Sequence, residues 1–470
     1  MRSLLVLLLL PAFVQSQPPP IKLTVDSAPE TKPSLRYELL PGGRDRVAGN
    51  AVLHYLKAHA NRPAEERDPA KRKEEFETVI RWEEAAPDKL PAKDVAEYLK
   101  RYKATFRELE YGTRCKTCDW TNAPSAGTDS VEGTLANVQA LRESARWLSL
   151  RCKVEIAEGR TDDALRTIQT GLQFGRHVAE GPSMIQMLVG NAIVHIFFTR
   201  IDGLLERPEA PNLYWALSAL PKPFLDPRPG LDGEDQIGES FFPGLAELRK
   251  GPVSAGRALE LVVKAVAFFG GQREGGGLGE LGMRLAVTTI AELRQAEARK
   301  EYLARGGDAK EVAAMPAVQV VFLNSFARYR DLADDYRKWF LLGGPDAVAG
   351  VEKIGERVKK LKVEAKDDMI VQIFLNILPA VEKVFQSLVR TERRIAQLRT
   401  LEAIRLHAAL EGHLPRELSE IKKVPVPTDP ATGKPFEYAL TDAGFTLTLP
   451  EIKSPGHLKA SYEVTMRAKK

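Results

Sequence analysis

The sequence predicts a mainly α-helical protein: an irregular array of helical hairpins ending in a long helix and a small antiparallel β-sheet. Three observations carry that expectation. Apolar residues recur at three- and four-residue spacing, as in Leu141, Ala145, Leu148 and Cys152, which is the period of an amphipathic helix. Sustained strand-like alternation is found near the end, in Phe436, Tyr438, Leu440 and again in Phe445, Leu447, Leu449. Glycine and proline punctuate the helical runs at Gly159, Gly181-Pro182 and throughout 208–233.

The chain opens with Arg2, the apolar run Leu4–Leu10 and Val14-Gln15-Ser16. This reads as a secretory signal peptide over 1–16, cut between Ser16 and Gln17 and too short to span a membrane. The expected compartment is therefore periplasmic or extracellular. Residues 17–34 are rich in proline and predict a flexible lead-in. A helical domain is expected over 35–366. Its first helix is Asn50–Ala60, with Asn50 as cap, followed by the charged run Ala64–Glu84 and by Asp88–Tyr111. Three helices then fall between Val138 and Leu205, broken at Gly159 and Gly181-Pro182. An internal boundary is expected at 208–233. Further helices are Glu234–Leu248, Ala255–Phe269, Leu278–Ala304 and Met315–Phe340, with a glycine-rich loop at 270–282. A C-terminal module, 367–470, begins with the long helix, stopped by Gly412 and Pro415. Val381, Val384, Phe385 and Leu388, then Ile395, Leu398, Leu401 and Ile404, cover more than one face, so other helices should surround it. The hairpin is expected as a satellite, with Ala460–Arg467 available as a third strand.

Composition excludes several functions. The 470 residues carry 68 basic and 63 acidic side chains, a formal net charge of +5. The charges are interleaved, which gives no footprint for nucleic acid. Three cysteines are too few for disulfides to be the main source of stability. The apolar run Met184–Phe198 is interrupted by Gln186, Asn191 and His195, so no transmembrane span is expected after the signal.

Cys115-Lys-Thr-Cys118 is the sharpest local motif. It is compatible with a local disulfide, idle thiols, a redox pair or half a zinc site. A haem attachment would need histidine where Asp119 stands, and no second cysteine pair completes a zinc site; no metal or cofactor is expected. His177 and Glu180 have the spacing of carboxylate-bridged metal sites, without an assignable second pair. His195 reads as a core histidine. Gly277-x-Gly279-x-x-Gly282 matches the dinucleotide fingerprint by letters only, because no strand precedes it. Asp232, Glu234, Asp235 and Glu239 read as a solvated acidic turn, and Asp429 as a turn-shaping residue. Tyr214, Trp215 and Trp339 are candidates for the floor of a peptide or glycan groove, against core packing as the plainer reading.

Three resemblances add to this. AEGRTDDALRTIQTGL resembles the turn and second helix of a tetratricopeptide repeat, with no second copy. LPAVEKV, EGHLP and PTDPATGKPFEY resemble the core of pilin-like and type II secretion pseudopilin proteins over about the last hundred residues. There the helix starts at the mature N-terminus, whereas here it is internal and carries the charge run Arg390–Arg394, costly in lipid. LLPGGRDRVAGNA, CDW, AEGRTDDALRTIQTGLQFGRHVAEGP, APNLYWALSALP and AAMPAVQVV resemble an uncharacterised group of secreted bacterial proteins, which implies compartment and class but no activity. The expected function is a secreted or periplasmic helical scaffold that binds another protein or an envelope component. An exported hydrolase with a dispersed site is the alternative, and a thiol–disulfide protein using Cys115 and Cys118 the weaker one.

Overall fold

The computed structural model describes residues 19–63, 69–86, 89–120, 131–233, 244–270, 279–366, 368–452 and 460–467. The signal-peptide reading, most of the acidic turn after Asp232, and Gly277 lie outside them. The protein is mainly α-helical with a small mixed sheet. It forms two compact units, one built from the residues up to Gly230 together with those from Gln386 onward, the other from Leu231–Phe385.

The first unit begins with a strand, β1 (Ile21–Val25), where the proline content predicted a flexible lead-in. Leu23 and Val25 are buried, and β1 runs parallel to the last strand of the protein, with Leu23 opposite Val464. The alternation of IKLTV is only five residues long and has no neighbouring turn, because its partner lies at the other end of the chain. Next come β2 (Val47–Asn50), α1 (Ala51–Ala60), α2 (Pro69–Glu84), α3 (Ala92–Leu99), α4 (Lys103–Arg114) and β3 (Cys115–Thr117). The single helix expected over Asp88–Tyr111 is thus two, joined by a short 3-10 turn at Lys100–Tyr102. β2 and β3 form a parallel pair that sequence reading missed.

Three long helices follow: α5 (Val131–Ala157), α6 (Thr161–Ala179) and α7 (Met184–Leu205). Gly159, at φ 74°, ends α5 by accepting a left-handed conformation that a side chain would oppose. Ser183 caps α7 by accepting from the Gln186 N–H at 3.2 Å. The backbones of α6 and α7 approach so closely at Gly175 and Gly190 that a Cβ on Gly190 would lie 2.4 Å from the Gly175 carbonyl oxygen. α7 is long and apolar enough to cross a membrane by length and composition. Its polar residues are nevertheless spent inside this unit, as shown below. α8 (Tyr214–Ser218) completes the N-terminal part.

The second unit contains α9 (Leu245–Arg249), α10 (Ala255–Gly270), α11 (Glu280–Ala304), α12 (Ala309–Ala314), α13 (Ala317–Leu342) and α14 (Gly344–Glu364). α14 was not foreseen. Val287, Ala291 and Ala298 of α11 pack into a core with Val262 of α10 and Val320, Val321 and Phe322 of α13. Buried Gln319 fastens the preceding loop, donating to the Leu248 and Gly251 carbonyls and accepting from the Val253 N–H.

The long helix, α15 (Met369–Glu411), starts at Asp368, whose carboxylate accepts from the Ile370 and Val371 N–H groups, and stops at Gly412, φ 78°. It passes through Pro379, so that proline is not in the first turn. The division between units falls inside it, at residues 385 and 386, rather than at 366. From Ile395 to Ala408 every residue except Arg399 is buried, as expected of a helix surrounded on several sides. β4 (Glu437–Thr441) and β5 (Gly444–Thr448) form the expected hairpin, and β6 (Ser461–Met466) the expected third strand. The sheet order is β1-β6-β5-β4, so it is mixed rather than antiparallel.

The hairpin is no satellite. Arg393 of α15, 1% exposed, forms a two-pronged ion pair with fully buried Asp429, at 2.9 and 3.0 Å, and donates to the Pro450 carbonyl at 2.6 Å. Gln397 donates to the Leu447 carbonyl of β5. Asp429 also shapes its own turn, accepting from the Thr432 hydroxyl and the Ala431 N–H. Asp429→Asn should therefore destabilise the protein by about 3–5 kcal/mol, the usual cost of leaving a buried charge without its partner. Urea denaturation checks this, and a loss below about 1 kcal/mol would show that Arg393 finds other acceptors.

Candidate functional site

Two features that the sequence kept apart, the CxxC motif and the His177/Glu180 pair, meet at the C-terminal end of α6. The last-turn carbonyl of His177 has no helical partner. Trp120 donates its indole N–H to it at 2.7 Å, and the Cys118 thiol donates at 3.5 Å. Asn50 locks the same segment from the other side: its side chain caps α1 through the Val52 N–H, accepts from the Asp119 N–H and donates to the Asp119 carbonyl. The Cys-Asp-Trp run is thus a backbone clasp between β3, α1 and α6.

Behind the clasp, Tyr55 of α1 and the His177 Nδ1 are 2.6 Å apart in a buried hydrogen bond. Gly112 of α4 makes room for the Tyr55 ring, which a Cβ there would approach to 2.6 Å. Phe174 and Trp120 pack on the same ring. Burial holds the Tyr55 phenol well above its ordinary range, so it stays protonated. Burial, with Arg46 and Arg176 nearby, pushes the His177 imidazole down to about 3. The neutral ring therefore accepts at Nδ1 from the Tyr55 hydroxyl. Burial, then the Glu180 charge, raises the Cys118 thiol, and burial raises Glu180 itself. A protonated thiol beside a neutral imidazole is not the thiolate–imidazolium pair of a nucleophilic cysteine.

The two thiols are free. Cys115 points back at the Tyr111 carbonyl at 3.5 Å, and β3 begins at Cys115 itself. The two thiols serve different carbonyls, Cys115 that of Tyr111 and Cys118 that of His177. Among the described residues no group of three His, Cys, Asp or Glu side chains is placed to hold a metal ion.

The other candidates are dispersed. Tyr214 is buried and donates to the Pro425 carbonyl at 2.5 Å, so it does not floor a groove. Trp215 donates to Glu30 at 2.8 Å. Trp339 belongs to the second unit and packs where Gly350 leaves space for its ring. His195 meets the Thr391 hydroxyl at 3.0 Å, and burial lowers it to about 4. Asp232 pairs with Arg337. Gly279 precedes α11 as its N-cap without any strand among the described residues before it.

Sequence reasoning missed the charged network of α7 and α15. Asp202 accepts from Arg394 on one carboxylate oxygen and from the Tyr462 hydroxyl of β6 on the other, at 2.7 Å. Asn191 donates to Ser387 and accepts from Thr391. Comparisons with family models, curated proteins and solved structures found no match to this chain.

The two neutral histidines carry a pH prediction. An unfolded histidine titrates near 6.5, so below that pH the unfolded chain binds protons that the native state refuses. Their contribution is complete above about 6.5 and is lost as the pH falls toward 4. The raised carboxyls Glu180 and Asp202 act in the opposite sense, so the test is a difference. Between pH 7.5 and 4.5 the melting temperature of wild type should fall more steeply than that of His177→Asn, which keeps an acceptor for Tyr55 but does not titrate. Parallel curves would contradict the buried neutral imidazole.

Proposed function

We propose that the protein is a secreted or periplasmic helical scaffold that binds another protein. The observation that carries this reading is the outer face of α11. A helix on a domain surface ordinarily buries one apolar stripe and shows solvent a charged one. α11 buries Val287, Ala291 and Ala298 on one side. On the opposite side of its wheel stand Leu285, Leu293 and Leu303, with Leu281 at the margin, exposed by 62%, 79%, 41% and 73%. Four leucines on the outward side of one helix are the pattern of a contact surface rather than a solvated one. Exposed Glu292 and Lys300 stand among the leucines and exposed Glu297 beside them, and this mixture of charge signs suits a protein interface better than the one-sided basic rim of a membrane-binding helix.

The first unit supports the same reading from the other direction. Its thiols, His177, His195 and the Arg393–Asp429 and Arg405–Glu402 ion pairs are engaged with other groups of the same unit.

A photoreactive residue at position 285 of the exported protein tests the proposal. A discrete cross-linked adduct is expected, and it should disappear when Leu281 and Leu293 are both lysine while the melting temperature stays within about 2 °C, as for exposed substitutions. An adduct that persists in the lysine variant, or none at all, would overturn the proposal; the adduct mass separates a second copy from a different protein.

A further inference from the structure

We propose that Arg46 and Arg176 form a binding site for a compact oxyanion of phosphate type, with the Gln173 side chain as its floor. Both guanidinium groups point at a single neutral atom. Arg46 Nη2 and Arg176 Nη1 each lie 3.4 Å from the Gln173 Oε1, the far end of the hydrogen-bond range. Neither has a carboxylate within 4.0 Å among the described residues, although both are only half exposed. Two partly buried cations share one weak acceptor, and burial lowers the Arg176 guanidinium, with the Glu180 charge opposing and the Arg46 charge adding to that effect.

The remaining donors are free to turn to a ligand. Arg46 donates elsewhere only to the Cys115 carbonyl at 3.2 Å, and Arg176 only to the Phe224 carbonyl at 3.0 Å, its guanidinium lying over the Phe224 ring. Each guanidinium carries five N–H donors, so Arg46 Nε and Arg176 Nη2 have no protein acceptor among the described residues. A planar fork of this kind suits oxyanions.

The site is held in place before any ligand arrives. Gln173 and Arg176 are one turn apart on α6. Arg46 follows the Gly43–Asp45 turn and precedes β2, and the stretch before that turn is tied to α6 by Gln169, which donates to the Glu38 and Leu40 carbonyls. The acidic groups that influence the pair are accounted for. Asp226 is closed off by Arg228 through both carboxylate oxygens. Glu180 lies beyond ion-pair distance of both; burial raises its carboxyl, while Arg176 and Arg46 favour its charged form.

The test uses the full chain and inorganic phosphate, with acetate and chloride at matched ionic strength. Phosphate stabilises folded proteins in general by exclusion from their surface, so the readout is the difference between wild type and variants. Wild type should show a saturable rise in melting temperature with phosphate, larger than with acetate, and Arg46→Gln and Arg176→Gln should each lose that saturable part. Gln173→Glu places an anion between the two arginines from within; it should melt higher than wild type in chloride and no longer respond to phosphate. Should Gln173→Glu fail to fold, phosphorus NMR line broadening in wild type against Arg46→Gln decides the question. Indistinguishable phosphate and chloride curves in wild type, or an undiminished phosphate response in Arg46→Gln, would overturn the site.

Discussion

A guanidinium cannot shed its proton inside a protein, so an arginine without solvent contact dictates where its acceptors must go. Arg405 of α15 is fully buried, and its surroundings show the consequence. It donates to the Asp26 carbonyl just after β1, to both oxygens of the equally buried Glu402, and to the Ala210 carbonyl before α8. Arg393, three turns earlier, does the same for the Asp429 turn and Pro450. Arg394 engages Asp202 of α7. One helix thus gathers the N-terminal strand, the helical layer and the C-terminal hairpin, and these charges join segments of the first unit that are far apart in sequence. Replacing such pairs by apolar residues can leave stability unchanged; what the arginines contribute here is a single permitted arrangement of segments distant in sequence.

Much of the helical part was legible for a physical reason. α6 and α7 carry their own boundaries, glycine stops, a Ser183 cap and an apolar period, so local residues suffice to place them. The hairpin β4–β5 is equally local, since Asp442 and Ala443 make its turn. What the residues did not disclose was pairing at a distance. β1 reads as a proline-rich arm until β6 is beside it, and the β2–β3 pair sets Val47 against Cys115 across the intervening helices α1–α4. The run Arg390–Arg394, costly in lipid, here supplies the Arg393–Asp429 and Arg394–Asp202 ion pairs.

The candidate site was legible as residues and not as an assembly. Cys118 and His177 stood out by type, but nothing in their spacing tells that the thiol serves the histidine's carbonyl, or that Trp120 shares that duty. The signal that was available is the Asn50 cap together with Asp119-Trp120: two short polar motifs, each unsatisfied alone, that complete one another. Polar residues at element ends act as fasteners first; the outward leucines of α11 stand apart from that role, and Arg46 and Arg176 stand out because each keeps donors beyond the one backbone carbonyl it fastens.

Native-state hydrogen exchange, read by mass spectrometry on the intact protein, tests the central claim most directly. If the buried arginines of α15 bind the two ends of the chain into one cooperative unit, then β1, β6 and residues 395–408 should open together, with the same free energy and the same dependence on denaturant. Exchange of β1 or β6 through a separate opening, well below that of residues 395–408, would contradict it.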